Sequence, residues 1–304
     1  MQDVLIKSLT FVIIIIIGYV LKKIKVLKKE DANVLATIIM NITLPCALLT
    51  SANGIEINGL ILLLILAGIL SNVLMISVGY LSCLKESNQL KAVFMLNSSG
   101  YNIGNFVLAF VQSFFPGLGV VYLCSFDIGN ALMGLGVTYA MASHVASGES
   151  DFKISDLLKK LFSSIPFDVY IIIFILAILK LKVPSPLLTI ASTIGAGNSF
   201  LAMMMIGILL EVKMSSIETK NVIKVLTIRM IGTIALAIMT YLILPITLLA
   251  KKILILAYFA PLSTVSAVFS KKVGYQGDLP AVANSLSIII GVICMTLLLL
   301  LFTI

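Results

Sequence analysis

Residues 97–105 read NSSGYNIGN, with three Asn, two Ser and two Gly in nine positions of an otherwise apolar run. Side-chain amides, hydroxyls and unwound backbone are neutral hydrogen-bonding groups. They suit the holding of an ion or a carboxylate better than the making and breaking of bonds. Asp127 is the one acidic residue clearly inside an apolar stretch, and Asn130, three residues on, shares its helical face. A second interrupted stretch, ILILAYFAPLSTVSAVFS, has Pro261 near its middle, followed by Ser263, Thr264 and Ser266. Enzyme chemistry has little to build on. His144 is the sole His, so a histidine triad or zinc site lacks parts. HExxH and Asp-rich metal motifs are absent, and no base stands beside a serine nucleophile. Cys46, Cys83, Cys124 and Cys294 are scattered in or beside apolar runs without a CxxC pair. They are expected to pack as small apolar residues, with no metal or cofactor.

The elements that carry these groups are set by composition. Of 304 residues, 60% are hydrophobic and 11% charged, where a soluble domain carries about a quarter charged. Apolar stretches near twenty residues recur from end to end, so the expected class is an all-α integral membrane protein. Ten spans are expected, at 4–21, 33–52, 58–83, 90–114, 118–143, 166–180, 187–211, 221–245, 253–270 and 280–303. The opening stretch lacks a small-residue cleavage site and is followed by lysines, as in a retained first span. With the N-terminus outside, every Lys and Arg falls at the inner ends except Lys7, Lys180, Lys182, Lys251 and Lys252. That bias fixes both termini outside a multi-pass protein of the plasma membrane. The net charge of +8 is therefore topological, and nucleic acid is not an expected partner.

The polar stretch SHVASGESDFKISDLLKKLFSS divides the chain. Residues 1–145 form a first five-helix repeat, 146–165 a cytoplasmic connection, and 166–304 a second repeat. Five is odd, so the second repeat enters from the opposite side. KIKV at 23–26 and KLKV at 180–183 fall at the same offset as Asn41 and Asn198. An inverted-topology repeat is expected, with helices 4 and 9 as partners.

Gly and Pro free backbone groups that cannot face lipid, so both breaks must be buried or line a wet cavity. Interrupted helices in matching positions of two halves point to a transporter's midplane site. Asn97, Gly100, Asn102, Gly104, Asn105, Pro261, Ser263 and Thr264 are the expected substrate-binding set. Asn41, Pro45 and Asn198, at breaks in the second and seventh spans, form a secondary set, either functional or structural. Asp127, with Asn130, could take up a proton, help ligate sodium, or act as a structural acid that orients the Asn cluster. Arg229, the only Arg, is expected to snorkel to the inner surface, with pairing to a substrate anion as the alternative. Glu211, Asp168 and His144 are expected at span ends.

The chain resembles the auxin efflux carrier family, which includes plant PIN-type exporters and bacterial proteins linked to malate or malonate uptake. The resemblance rests on MNITLPCALL, NSSGYNIGN, SFDIGNALMGLGVTYA and APLSTVSAVFSKKVGYQGDLPAVANSLSIIIGV, in that order. It implies two inverted five-helix repeats, broken helices 4 and 9 crossing at the substrate, and elevator-like alternating access. The expected cargo is a small organic anion such as a carboxylate, with a cation/proton or sodium-coupled transporter of the same core as the alternative. Expected partners are that anion, the bilayer, a coupling proton or sodium ion, and a second copy of the chain. In one departure from many relatives, no proline lies between Pro45 and Pro116, and Ala109 stands where one is expected. Unwinding of the fourth helix then depends on Gly100, Gly104 and the Asn residues.

Overall fold

The computed structural model describes residues 2–54, 59–148, 153–210 and 218–302, so Glu211 and part of the central connection lie outside the described residues. The described chain is helical throughout, with no strand. In order, the helices are α1 (Gln2–Lys23), α2 (Asp31–Ser51), α3 (Gly59–Leu81), α4 (Asn88–Ser98) and α5 (Ile103–Phe114). There follow α6 (Leu118–Ser147), α7 (Ile154–Leu161), α8 (Ile165–Ile178) and α9 (Ser185–Leu209). The last four are α10 (Thr219–Ile243), α11 (Leu248–Tyr258), α12 (Val265–Lys272) and α13 (Leu279–Leu301).

Seven of these are long and apolar enough to cross a membrane, or eight if α7 and α8, bent by 82°, count as one span. The stretches expected as spans at 90–114 and 253–270 are each two short helices with a break between them. Neither half is long enough to cross alone. Large apolar side chains such as Leu62, Leu66 and Leu70 sit outward at helical spacing on α3, as expected of a lipid-facing surface.

Lipid gives no hydrophobic drive between helices, so close backbone approach holds the bundle together. Glycine supplies that approach at two seams. Where α1 packs on the second half of α9, a Cβ at Gly207 would lie 2.1 Å from the Ile15 carbonyl oxygen. Where α3 packs on α6, a Cβ at Gly129 would lie 2.1 Å from the Ile65 carbonyl oxygen, and one at Gly68 would lie 2.2 Å from that of Phe126. Three helices also contain a turn of π-helix, at Ile39–Thr43 in α2, Ile103–Val107 at the start of α5 and Met133–Val137 in α6. Such turns widen the helix and leave its carbonyls partly unpaired.

All four cysteines are free; Cys83 and Cys124 are buried, and Cys46 and Cys294 half-buried. Gly129→Val is expected to lower stability by about 1–3 kcal/mol, because the Ile65 backbone cannot retreat from a side chain. Gly59→Ala, with nothing within 4 Å of the added carbon, should leave it unchanged. Thermal unfolding of detergent-solubilised protein, followed by size exclusion, checks both.

Candidate functional site

The two breaks meet. Helix α4 stops at Ser98, and the turn that follows uses Gly100 at φ +74°, a left-handed conformation that L side chains rarely adopt. Helix α11 stops at Tyr258, and Pro261 in the exit segment has no N–H to donate. Tyr101 and Leu262 then pair as an isolated antiparallel bridge. The Asn102 N–H donates to the Pro261 carbonyl at 3.1 Å, and the Leu262 N–H donates to Ser287 Oγ at 3.0 Å.

The unwound ends leave carbonyls without helical partners, and Arg229 collects them. Its Nη1 donates to Ser98 O at 2.7 Å and Ser99 O at 3.3 Å. Its Nη2 donates to Gly100 O at 2.8 Å, Ala260 O at 3.0 Å and Pro261 O at 3.3 Å. The guanidinium also lies 5.0 Å from the Tyr101 ring centroid, within cation–π range. Arg229 is 5% exposed. The expected snorkelling does not occur. Ten residues into α10, its Cα is about 15 Å from the helix start, and the orphan carbonyls lie within hydrogen-bonding reach of its guanidinium. The charge also opposes the negative partial charge of two helix C-termini.

On the other side of the crossing, amide side chains take over. Asn72 of α3 accepts from the Gly100 N–H at 2.8 Å and donates to Asn130 Oδ1 at 3.3 Å. Asn130 clamps Tyr101, accepting from its N–H at 3.1 Å and donating to its carbonyl at 2.9 Å. The same amide nitrogen donates to Asp127 Oδ1 at 2.8 Å, and the Tyr170 hydroxyl of α8 donates to Asp127 Oδ2 at 3.1 Å. A carboxylate is thus tied through one Asn to the backbone of the first break.

Beside this network lies a cavity of about 170 Å³. Asn102, Gly104, Asn105, Ser263 and Thr264 of the expected substrate-binding set line it, together with Asp127 and Asn130. The other three are placed elsewhere. Asn97 is fully buried, donating to Val93 O at 2.8 Å and Ser270 Oγ at 3.0 Å. Gly100 and Pro261 serve the crossing through their carbonyls and do not line the cavity. In the secondary set, Asn198 ties α2, α5 and α9 together, accepting from Thr43 Oγ1 at 3.0 Å and donating to Gln112 Oε1 at 3.2 Å. Pro45 is buried and Asn41 is exposed on the outside of α2. Asp168 lies in the first turn of α8, half-buried, and His144 in the last turn of α6, exposed.

The cavity has a consistent chemical character. The starts of α5 and α12 both reach it, at Ile103, Gly104 and Asn105 and at Thr264 and Val265. First-turn amides lack helical acceptors and carry positive partial charge. All three π turns contribute to its wall, through Met40, through Ile103 to Asn105, and through Gly134 and Leu135. Among the described residues, Asp127 is the sole carboxylate or cation on that wall. Asn105 Oδ1 is buried and has no hydrogen-bond partner among the described residues.

Sequence reasoning missed Asn72, Tyr170 and the role of Arg229. Asn72 did carry a signal, as a lone Asn among the aliphatic residues of α3; Tyr170 and the π turns carried none. Arg229→Gln is expected to cost about 3 kcal/mol or more, since it strips charged donors from five buried carbonyls. Arg229→Lys should fall between, because one ammonium has three donors and no fork. Thermal unfolding of the purified variants in detergent reads the order.

A family model described as a membrane transport protein matches residues 3–156, just over half of the chain. No curated protein matches. The matched residues include the first break, Asn72, Asp127 and Asn130, and so cover the part of the cavity wall that comes from α2, α5 and α6; the part from α8 and α12 lies outside the match. The chain belongs to this membrane transport family, the auxin efflux carrier/PIN-like group, and is a multi-pass membrane transporter.

Proposed function

We propose that the protein is a secondary transporter, or facilitator, for small organic anions such as carboxylates, working by alternating access at the plasma membrane. The observation that carries this is the sorting of backbone charge at the crossing. Both helix C-termini face Arg229, while both helix N-termini face the cavity. A carboxylate there would be held by first-turn amides, the Asn102 and Asn105 side chains, and the Ser263 and Thr264 hydroxyls.

The packing supports ten spans in two inverted repeats, with α4–α5 as the fourth and α11–α12 as the ninth. Contacts occur in mirrored pairs: α1 with α9 and α8 with α2, α3 with α6 and α10 with α13, α3 with α4 and α10 with α11. In this reading α1, α2, α8 and α9 form one body and the remaining spans the other. Polar ties cross between them on the side away from the cavity mouth. Gln112 Nε2 donates to Gly195 O at 3.0 Å, and Ser199 Oγ donates to Ala109 O at 3.0 Å. Ser164, Pro166 and Phe167, beside the central connection, edge the cavity. With both termini outside, this arrangement faces inward.

A second reading, a proton- or sodium-coupled carrier on the same core, draws on Asp127 alone on the cavity wall. An anion arriving there meets a carboxylate, and a cation bound with it would offset the repulsion. Asp127 also bridges the two bodies through Tyr170, so its occupancy and their movement would be coupled.

The test is uptake into proteoliposomes of mono- and dicarboxylates and aromatic acids under imposed proton, sodium or voltage gradients. Asn102→Ala and Asn105→Ala, still monodisperse, should each lower uptake about tenfold or more, the worth of a hydrogen bond to a charged group. Unchanged uptake in both would remove the site. Asp127→Asn should abolish any proton or sodium dependence; normal uptake under every gradient would end the coupling reading.

A further inference from the structure

Helix α7 has three faces where a spanning helix in this bundle has two. It runs Ile154–Leu161 and meets α8 at 82°, so it lies across the direction of the spanning helices. At about 100° per residue, Leu157, Lys160 and Leu161 share the sector that packs on the protein, with Leu161 buried. Lys160 Nζ donates to Leu135 O at 3.4 Å and lies 5.1 Å from the Phe269 ring and 5.7 Å from that of Tyr139. The next sector holds Ile154, Leu158 and Phe162, exposed by 70%, 47% and 58%. The third holds Ser155, Asp156 and Lys159, all exposed, and exposed Lys153 precedes the helix.

Protein, apolar and water-seeking faces in rotational order are what a short helix at the bilayer surface requires. A helix wholly in water would not present three large apolar side chains as one stripe. A segment buried in hydrocarbon would not place Lys153, Asp156 and Lys159 in the open. The turns between spans at this end of the bundle are also rich in lysine, with Lys25, Lys28 and Lys29 after α1 and Lys271 and Lys272 closing α12.

We propose that α7 is a membrane-surface helix, with Ile154, Leu158 and Phe162 in the acyl boundary and Lys153 and Lys159 on anionic lipid headgroups. The assignment rests on no assumption about what the cavity binds. It has a consequence for the site nonetheless. The chain passes from α7 through Ser164 into α8, and Ser164, Pro166 and Phe167 form the cavity edge. Lys160 meanwhile holds the carbonyl of Leu135, in the π turn of the opposite wall. The lipid surface is thereby fastened to both sides of the cavity mouth.

The chain has no Trp, so Phe162→Trp creates a single fluorescent reporter in the full-length protein. Reconstitution would use phosphatidylcholine vesicles with or without phosphatidylglycerol, with acyl chains brominated near the glycerol backbone or near the chain end. The expected result is blue-shifted emission, quenched most by the shallow bromines. Phosphatidylglycerol should strengthen the quenching, and that gain should disappear in Lys153→Gln/Lys159→Gln. Unquenched emission typical of indole in water overturns the proposal. So does strongest quenching by chain-end bromines, which would make α7 part of a buried broken span. Equal quenching with and without phosphatidylglycerol overturns the headgroup contact. If Phe162→Trp does not fold, Ile154→Trp, at the more exposed end of the stripe, gives the same readout.

Discussion

Five carbonyl oxygens from two broken helix ends converge on one guanidinium deep in the bundle, and the rest of the site follows from that contact. In hydrocarbon an unpaired carbonyl has no water to turn to, so two interrupted helices can meet only if something supplies donors. A planar fork with several N–H groups does this for carbonyls spread over two chains, where an ammonium would not. The charge does a second task. It compensates two helix C-termini whose negative ends would otherwise face one another. With that side of the crossing satisfied, the N-terminal ends are left to face the cavity.

Polarity is thus sorted by backbone direction more than by side-chain charge. Among the described residues the cavity wall has no Lys, Arg or His, and its one carboxylate is already held by Asn130 and Tyr170. The positive partial charge there comes from amide dipoles, which persist at any pH. Asn130 joins the two parts, since one side chain clamps the Tyr101 backbone and also contacts Asp127. A change at the carboxylate is therefore felt by the backbone of the break within two hydrogen bonds.

The surrounding helices are shaped to make room. Glycine seams at Gly207 and at Gly68 with Gly129 draw helices into backbone contact, while π turns in α2, α5 and α6 widen them where they border the cavity. Tight packing at the seams and local widening at the cavity are complementary. The first holds the elements rigid without a hydrophobic drive, and the second provides volume without a loop.

Much of this was legible in the sequence because lipid imposes strict rules. Long apolar runs had to be helices, and NSSGYNIGN and Pro261 had to be breaks, since their freed backbone groups needed burial or water. Asn102, Gly104, Asn105, Ser263 and Thr264 could be placed at a cavity for the same reason. Arg229 could not be read correctly, because a lone Arg in a span looks the same whether a headgroup or a backbone lies within reach. Asn97 and Asn102 are the same residue type five positions apart, yet Asn97 is buried on α4 against Ser270 while Asn102, beyond the turn at Gly100, borders the cavity. The sequence by itself determined where helices had to break, through local chemistry in a solvent without hydrogen bonds. Tertiary structure alone decided which orphaned groups meet and which face the cavity, because those partners come from α3, α8 and α10, remote along the chain.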